Sequence, residues 1–370
     1  MTSTAHVQLS DLRHEVREAL LSSPGPTIVY DSVGIRDEFQ LLRRHMESAL
    51  GDRYPVELLF SVKANGFAGL LRWCAAEGIG AAVASTSEFE AAQAAGMAPI
   101  HATAPGLTTS QITPLLAAGV AVDADNVAQL AAFPGGTEVG LRVQVPLFPD
   151  NTPRAEGVSR FGIDLNDPAL KELLADGDRR VVRLHAHIRD IGTPTDLETV
   201  AAIVVGAATQ FPEVRQINLG GGMTRLYKEP ERAAEAWQAF GRALKGLPGG
   251  ITMIVEPGAQ VVTRHGYLAT DVVSSLARPD GRRLVTLDAS KWRLITWADV
   301  NLIAPLPGAG ETARTDLVGP TCYEKDIWMT AADMPVLAAG DRVTLQGLGA
   351  YVTSMARRMH DLPDPCELLV

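Results

Sequence analysis

Along roughly the first two thirds of the chain, short apolar runs alternate with longer amphipathic or alanine-rich stretches. The runs are Glu57–Val62, Ala81–Ser85, Ile100–Thr103, Val120–Asp123, Val139–Val143, Val182–Ile188, Ile217–Gly221 and Met253–Pro257, eight in all. Segments of helical character lie between most of them: Gly69–Glu77, Ser87–Ala95, Thr109–Ala118, Val127–Phe133, Asp167–Ala175, Leu197–Gln210 and Glu231–Leu244. Runs this short and this continuously apolar read as strands buried on both faces, as in parallel sheets. Eight strand–helix units in series predict a (β/α)8 barrel. The alternative, an open doubly wound sheet, needs a glycine-rich turn directly after an early strand to seat a dinucleotide, and the sequence has none there. The longest interruption, Pro146 to Ser159, contains three prolines and reads as a mobile loop before Arg160-Phe161-Gly162-Ile163.

After Gly258 the pattern changes. Val261–Thr263, Tyr267–Val273, Arg283–Asp288, Leu294–Ala298, Asp316–Val318, Val336–Leu337 and Arg342–Leu345 are short and rich in β-branched residues, with Gly, Pro, Asp or Asn between them. They predict an antiparallel β domain. Thr27–Tyr30 precedes the first barrel strand by a helix and is a candidate to pair with it. The expected division is therefore a barrel over residues 35–264 and a discontinuous β-rich domain over 1–34 and 265–370.

With 370 residues, two domains or one large one are expected, and core size sets no limit. The formal charge of −10, with no basic stripe, argues against a nucleic-acid partner. Three scattered cysteines, Cys74, Cys322 and Cys366, form neither a disulfide framework nor a paired-ligand zinc site. The first residues lack a signal-peptide core, and no apolar run is long enough to span a bilayer. The sequence reads as a soluble, cytoplasmic protein.

The chemistry-bearing stretches lie at the ends of the predicted strands, where barrel loops converge on a common mouth. Ser61-Val62-Lys63-Ala64-Asn65-Gly66 sets Lys63 at the tip of a very apolar run, where loss of hydration would make its amine a nucleophile toward carbonyls. The plain alternative is a salt-bridged strand-end lysine. Leu184-His185-Ala186-His187-Ile188 places two histidines on one strand face. Metal binding is open to them, but without a third matching ligand zinc is the weakest reading; an imidazole lying over a planar cofactor and a satisfied core histidine both fit better. Leu219-Gly220-Gly221-Gly222 gives backbone N–H groups close approach to a phosphate. Glu256 ends the eighth strand with a carboxylate at the mouth. In the β-rich part, Cys322 follows a Gly-Pro turn with Asp326 nearby and is a candidate acid or base. Tyr351, behind Gly347-Leu348-Gly349-Ala350, is suited to a phosphate contact.

Taken together and in this order, these residues resemble the ornithine, diaminopimelate and arginine decarboxylase family, the fold-type III enzymes that use pyridoxal 5'-phosphate. The likeness runs from Ile28-Val29-Tyr30-Asp31 through the Lys63 motif, Ser87-Glu88, Val122-Asp123, Leu141-Arg142-Val143, Ser159-Arg160-Phe161-Gly162, the His187 strand, Gly220–Gly222, Glu256-Pro257-Gly258 and Gly319–Cys322 to Gly349–Tyr351. It implies a TIM-like barrel with a C-terminal β domain, the alanine-racemase-like fold. By this resemblance Lys63 carries the cofactor covalently, Glu256 holds its ring nitrogen protonated and His187 stacks on the ring. Gly220, Gly221, Gly222 and Tyr351 bind its phosphate, and Arg142 and Glu88 line the site. After carbon dioxide leaves, Cys322 returns the proton. The resemblance also implies a homodimer in which Cys322, Asp326 and Tyr351 come from the partner.

The departures bear on substrate. Arg189-Asp190 stand where the family has Gly-Ser, and Thr193, slightly later, is the expected substitute for the phosphate-binding serine. Ala259 stands in place of a phosphate-binding arginine, so Arg264 or Arg189 would have to compensate. Tyr323 replaces the acid that grips a distal amine, and Arg357-Arg358-Met359-His360 replace Ser-x-aromatic-Asn. A distal ammonium prefers carboxylates and is repelled by guanidinium. With Tyr323, Asp326 and Arg357 as candidate substrate contacts, the expected substrate is an amino acid with an acidic, conjugated or carrier-tethered distal group. A diaminopimelate- or ornithine-type decarboxylase, an amino-acid racemase and a non-catalytic cofactor-binding homologue are the alternatives.

Overall fold

The computed structural model describes residues 7–145, 157, 159–175, 177–188, 191–295, 297–307 and 311–370. Most of the expected proline-rich loop, together with Arg189 and Asp190, lies outside them. The chain divides into two compact units. One comprises Asp37–Lys63 and Leu71–Gln260, the other the residues up to Arg36, Ala64–Leu70 and Val261–Val370.

The first unit is a closed barrel of eight parallel strands in chain order: Val56–Ser61, Gly80–Val83, Ile100–Ala102, Ala121–Ala124, Glu138–Arg142, Arg180–His185, Gln216–Asn218 and Thr252–Val255. The last closes on the first through Met253 opposite Val56 and Val255 opposite Leu58. Every apolar run therefore contains or overlaps its strand. The helices start close after the strands because the sequence caps them there. Ser85 Oγ accepts the Glu88 N–H at 3.1 Å while Glu88 Oε2 accepts that of Ala84 at 2.7 Å. Asn126 likewise accepts from Gln129 N at 2.9 Å. Such reciprocal caps satisfy orphan donors of the first turn and stop the strand end from drifting. The Pro230–Ala243 helix shows the packing rule, burying Ala233, Ala236, Trp237 and Phe240 at helical spacing.

Inside the barrel runs a polar belt. Asp123 is fully buried and accepts from Arg183 Nε at 2.5 Å, while Arg183 also donates to Val122 O at 3.0 Å and Gln216 Oε1 at 3.2 Å. A side chain at Gly140 would run into both members of the pair, so this position is left bare. Burial pushes the Asp123 carboxyl up, but Arg183, His185 and His101 outweigh it and hold it well below the usual carboxylate range. His101, 3 % exposed, is lowered as well, but here burial acts in that direction. Burial first, then the Arg183 charge, lowers it to about 4.

This gives a pH signature. An unfolded His101 takes up its proton near pH ~6.5, the folded one only near about 4. Between those values the unfolded chain binds more protons, so stability falls as pH falls through that window. Replacing His101 with Phe should flatten that limb by up to ~3 kcal/mol. Urea unfolding at neutral and mildly acidic pH checks it, and an acid limb as steep in His101→Phe as in the parent contradicts it.

The second unit is a mixed sheet, which corrects the antiparallel expectation. Its central strand, Gly266–Ala277, pairs antiparallel with Thr27–Tyr30, Arg342–Gln346 and Arg283–Leu287. Three pairings are parallel: Arg283–Leu287 with Thr312–Val318, Thr27–Tyr30 with Cys366–Leu369, and Val7–Gln8 with Asn301–Ala304. Val261–Thr263, expected as a strand, belongs to the Ala259–Val262 helix and the 3-10 turn after it. Leu294–Ala298 forms no strand among its described residues, and Val336–Leu337 fall just past the Ile327–Pro335 strand. No helix among the described residues is long and apolar enough to cross a membrane.

Candidate active site

Lys63 sits in the 3-10 turn Val62–Ala64 that follows the first barrel strand. The turn is fixed from behind, where Ser61 N donates to Pro257 O at 3.0 Å, joining the ends of the first and eighth strands. Lys63 is exposed, a correction to the expected desolvated amine: its side chain leaves the apolar strand and opens onto a cavity at the barrel mouth. Arg142, His185, His187 and Glu256 line that cavity with it, together with Thr103 and residues of the second strand. Five strands thus contribute polar groups to one space.

The carboxylate and the imidazole are held by backbone geometry. Gly220 N–H donates to Asn218 Oδ1 at 2.8 Å, which fixes that amide and leaves Nδ2 to donate to Glu256 Oε1 at 2.7 Å. Glu256 is thereby oriented while 7 % exposed. Gly221 N–H donates to His187 Nδ1 at 3.1 Å, so that nitrogen carries no proton and the proton of the neutral ring is on Nε2. Burial, then the charges of Lys63, His185 and Arg142, push His187 well below its ordinary value, and the ring is neutral. Gly220 has φ +64°, and a side chain there would enter the His187 ring; one at Gly221 would meet the Glu256 carbonyl. The glycines serve the close approach of loop, imidazole and carboxylate.

The structure supplies the third potential ligand that the two histidines lacked in sequence. Ligand atoms of His185, His187 and Glu256 lie within 4.8 Å of one another. The His187 tautomer opposes a metal, since Nδ1 is already engaged by Gly221 and Nε2 carries the proton.

The remaining predicted barrel residues are placed as follows. Arg142 donates to Asp125 Oδ1 at 2.8 Å and lies over the Phe161 ring at 4.6 Å. Glu88 spends one oxygen on its helix cap; burial pushes its carboxyl up, against the Ala84 N–H and the Lys63 charge. Thr193 caps the Pro194–Ala208 helix, accepting from Asp196 N at 3.3 Å, while Asp196 Oδ2 accepts from Gly192 N at 2.8 Å and Thr193 N at 2.9 Å. A carboxylate of the chain itself thus occupies that helix start, and the Thr193 oxygen is already an acceptor.

In the second unit, Tyr351 adopts φ +58° and stacks on Trp297 at 4.4 Å. Its N–H donates to Ala64 O at 2.7 Å, and Asn65 Nδ2 donates to Gly349 O at 2.9 Å, tying the residues after Lys63 to this turn. Cys322 is exposed and donates its N–H to His360 Nε2 at 3.1 Å. Tyr323 packs against Trp292 at 4.1 Å, and the Arg357 guanidinium lies over Trp292 at 3.7 Å. Asp326 corrects the expectation of a substrate contact. It is 2 % exposed, and its oxygens accept from Ser290 Oγ, Thr321 Oγ1, Thr321 N and Trp292 N, so it clasps its own loop. Asn218, Asp123 and Thr103 were missed in sequence, for no short spacing marks partners that come from separate strands.

Comparison with known proteins shows the family to which the chain belongs. The profile of the pyridoxal-dependent decarboxylases, pyridoxal binding domain, matches residues 36–263. The chain belongs to that family. Diaminopimelate decarboxylase of Pseudomonas aeruginosa is 28% identical over 373 residues, covering 93% of this chain and 87% of the relative. Diaminopimelate decarboxylase of Helicobacter pylori, solved with L-lysine, shares the fold at a TM-score of 0.80 and 22% identity, over 95% of this chain and 93% of that one. The arginine decarboxylase of Paramecium bursaria Chlorella virus does so at 0.78 and 18%, over 94% and 96%. The family's cofactor is pyridoxal 5'-phosphate, and this cavity fits it: an open lysine, a neutral imidazole and a fixed carboxylate meet around one space, and a glycine loop backs the imidazole.

Proposed function

We propose that this chain decarboxylates an α-amino acid whose distal end is acidic, conjugated or carrier-tethered rather than a free ammonium. The observation that carries the reading is the Tyr323–Trp292–Arg357 stack. Arg357 is exposed and forms no ion pair among the described residues, and the nearby acid, Asp326, is turned inward. An aromatic-backed guanidinium accepts planar anions and repels ammonium.

Bound pyridoxal phosphate supplies an electron sink for the pair left by the departing carboxylate. Lys63 would hold it covalently and yield to the substrate amine. Glu256, steadied by Asn218, would keep the ring nitrogen protonated, and neutral His187 would lie against the ring face without adding charge. Within the Gly220–Gly222 loop the N–H groups of Gly220 and Gly221 are engaged by Asn218 and His187, so the phosphate would approach the side-chain-free loop at the Gly222 N–H, with Tyr351 contributing a hydroxyl and Thr193 the hydroxyl proton that its cap leaves over. Arg142, held by Asp125, would guard the mouth.

Cys322 would return a proton to the substrate carbon. Its exposure, and the 68 % exposure of Trp297 against Tyr351, support a homodimer in which a second copy completes the site. Cys322→Ala should keep cofactor binding, slow amine formation and lower the share of amine among the products. Normal turnover with clean amine product would remove the cysteine from the mechanism. Carbon dioxide release from lysine, ornithine, arginine and meso-diaminopimelate against 2-aminoadipate tests the substrate class: preference for the acidic analogue is expected, and fast turnover of the basic amino acids without it favours the diaminopimelate- or ornithine-type reading.

A further inference from the structure

Pyridoxal phosphate presents four polar features: ring nitrogen, aldehyde carbon, phosphate and ring hydroxyl. Glu256, Lys63 and the glycine loop would take the first three. The cavity wall holds a further buried polar atom without a partner. His185 is 2 % exposed and lines the cavity, and its Nε2 is buried with no partner. An imidazole nitrogen left so in a closed interior costs free energy unless a ligand completes it.

The other face of the ring is fully specified. His185 Nδ1 lies 3.1 Å from Asp123 Oδ2, and Thr103 Oγ1 donates to that same oxygen at 3.1 Å. Asp123 is locked in turn by Arg183 at 2.5 Å on its other oxygen. A carboxylate held below its usual range can only accept, so the proton at Nδ1 is fixed and Nε2 is the nitrogen whose hydrogen bond is left to the cavity. Of the other wall groups, Arg142 is engaged by Asp125 and the Thr103 hydroxyl by Asp123, while the His187 Nε2–H belongs to the ring already given to the cofactor face.

We propose that His185 Nε2 shares a proton with the ring 3-oxygen of pyridoxal phosphate, with Asp123 as the positioning residue that dictates which nitrogen faces it. The inference rests on the cavity being the cofactor site. Its test measures equilibrium affinity for pyridoxal phosphate and for its 3-deoxy analogue, with borohydride trapping at Lys63 as a parallel readout.

The parent protein should bind the deoxy analogue about tenfold more weakly, the scale of one hydrogen bond to a group that can share charge. His185→Phe should bind the two forms within about threefold of each other, while still forming the Lys63 adduct. His185→Gln, which keeps an amide at the ring's place, should recover part of the discrimination, and Asp123→Asn should weaken it. Equal binding of both forms by the parent protein overturns the proposal without any variant, as does undiminished discrimination in His185→Phe or His185→Gln and His185→Phe behaving alike. Absence of any Lys63 adduct in the parent protein would instead overturn the reading of the site.

Discussion

Lys63→Ala is expected to abolish covalent cofactor attachment and lower turnover by at least about 10^4-fold, the scale on which removal of a covalently reacting group acts. The barrel should survive, because Lys63 is exposed and its turn is held by backbone bonds on either side: Ser61 N to Pro257 O, and Tyr351 N to Ala64 O. The parent protein should carry a yellow, borohydride-sensitive absorbance that the variant lacks. Lys63→Arg should fare no better, since a guanidinium keeps the charge but is not a nucleophile at neutral pH. An unchanged spectrum in Lys63→Ala would show that another lysine carries the cofactor.

Asp123→Ala should have the largest effect on stability. Arg183 is left inside the barrel with its charge unpaired, and removing one partner of a buried pair costs about 3–5 kcal/mol. His185 loses its Nδ1 acceptor at the same time. A double replacement, Asp123→Leu with Arg183→Met, removes both charges and should regain more than half of the loss, because the expense lies in the stranded guanidinium rather than in the missing attraction. Urea unfolding of the parent protein, the single variant and the double variant measures this. A single variant within ~1 kcal/mol of the parent would contradict the pairing.

The barrel was legible because each of its strands overlaps a contiguous apolar run and several are followed by a capped helix, as at Ser85 and Glu88, and both signals are local. The second unit was less so. The Gly266–Ala277 strand is buried at its start and exposed at its end, and Ile327–Pro335 contains Ala331 at φ +50° and shifts register against its neighbour, so neither shows a steady period. The triplet Val261–Thr263 is as apolar as any strand, and only its burial at a helix in the second unit separates the two readings. That Ala64–Leu70 belongs with the second unit could not be read locally either, for its partners Gly349 and Tyr351 are far along the chain.

The site divides in the same way. Lys63, His187, Glu256 and the glycines stand at strand ends in recognisable local motifs. Their supports do not. Asn218 is one residue before a leucine and a glycine run, Asp123 closes an apolar stretch, and Arg183 sits mid-strand; each gains its meaning from a neighbour strand that only the closed barrel brings near. Asp326 shows the converse. Its place after the cysteine suggested a ligand contact, and its four donors make it structural. Thr193 with Asp196 carried the spacing of a helix cap, and that is how the fold uses them.

The most direct test of the central claim is to incubate the pyridoxal phosphate-loaded protein with amino acids labelled at the α-carboxyl and to count released carbon dioxide alongside any inversion of configuration. Release in step with amine formation, dependent on Lys63 and without inversion, is the predicted result. Inversion without carbon dioxide, or no turnover of any amino acid by a protein whose Lys63 is demonstrably loaded, would contradict it.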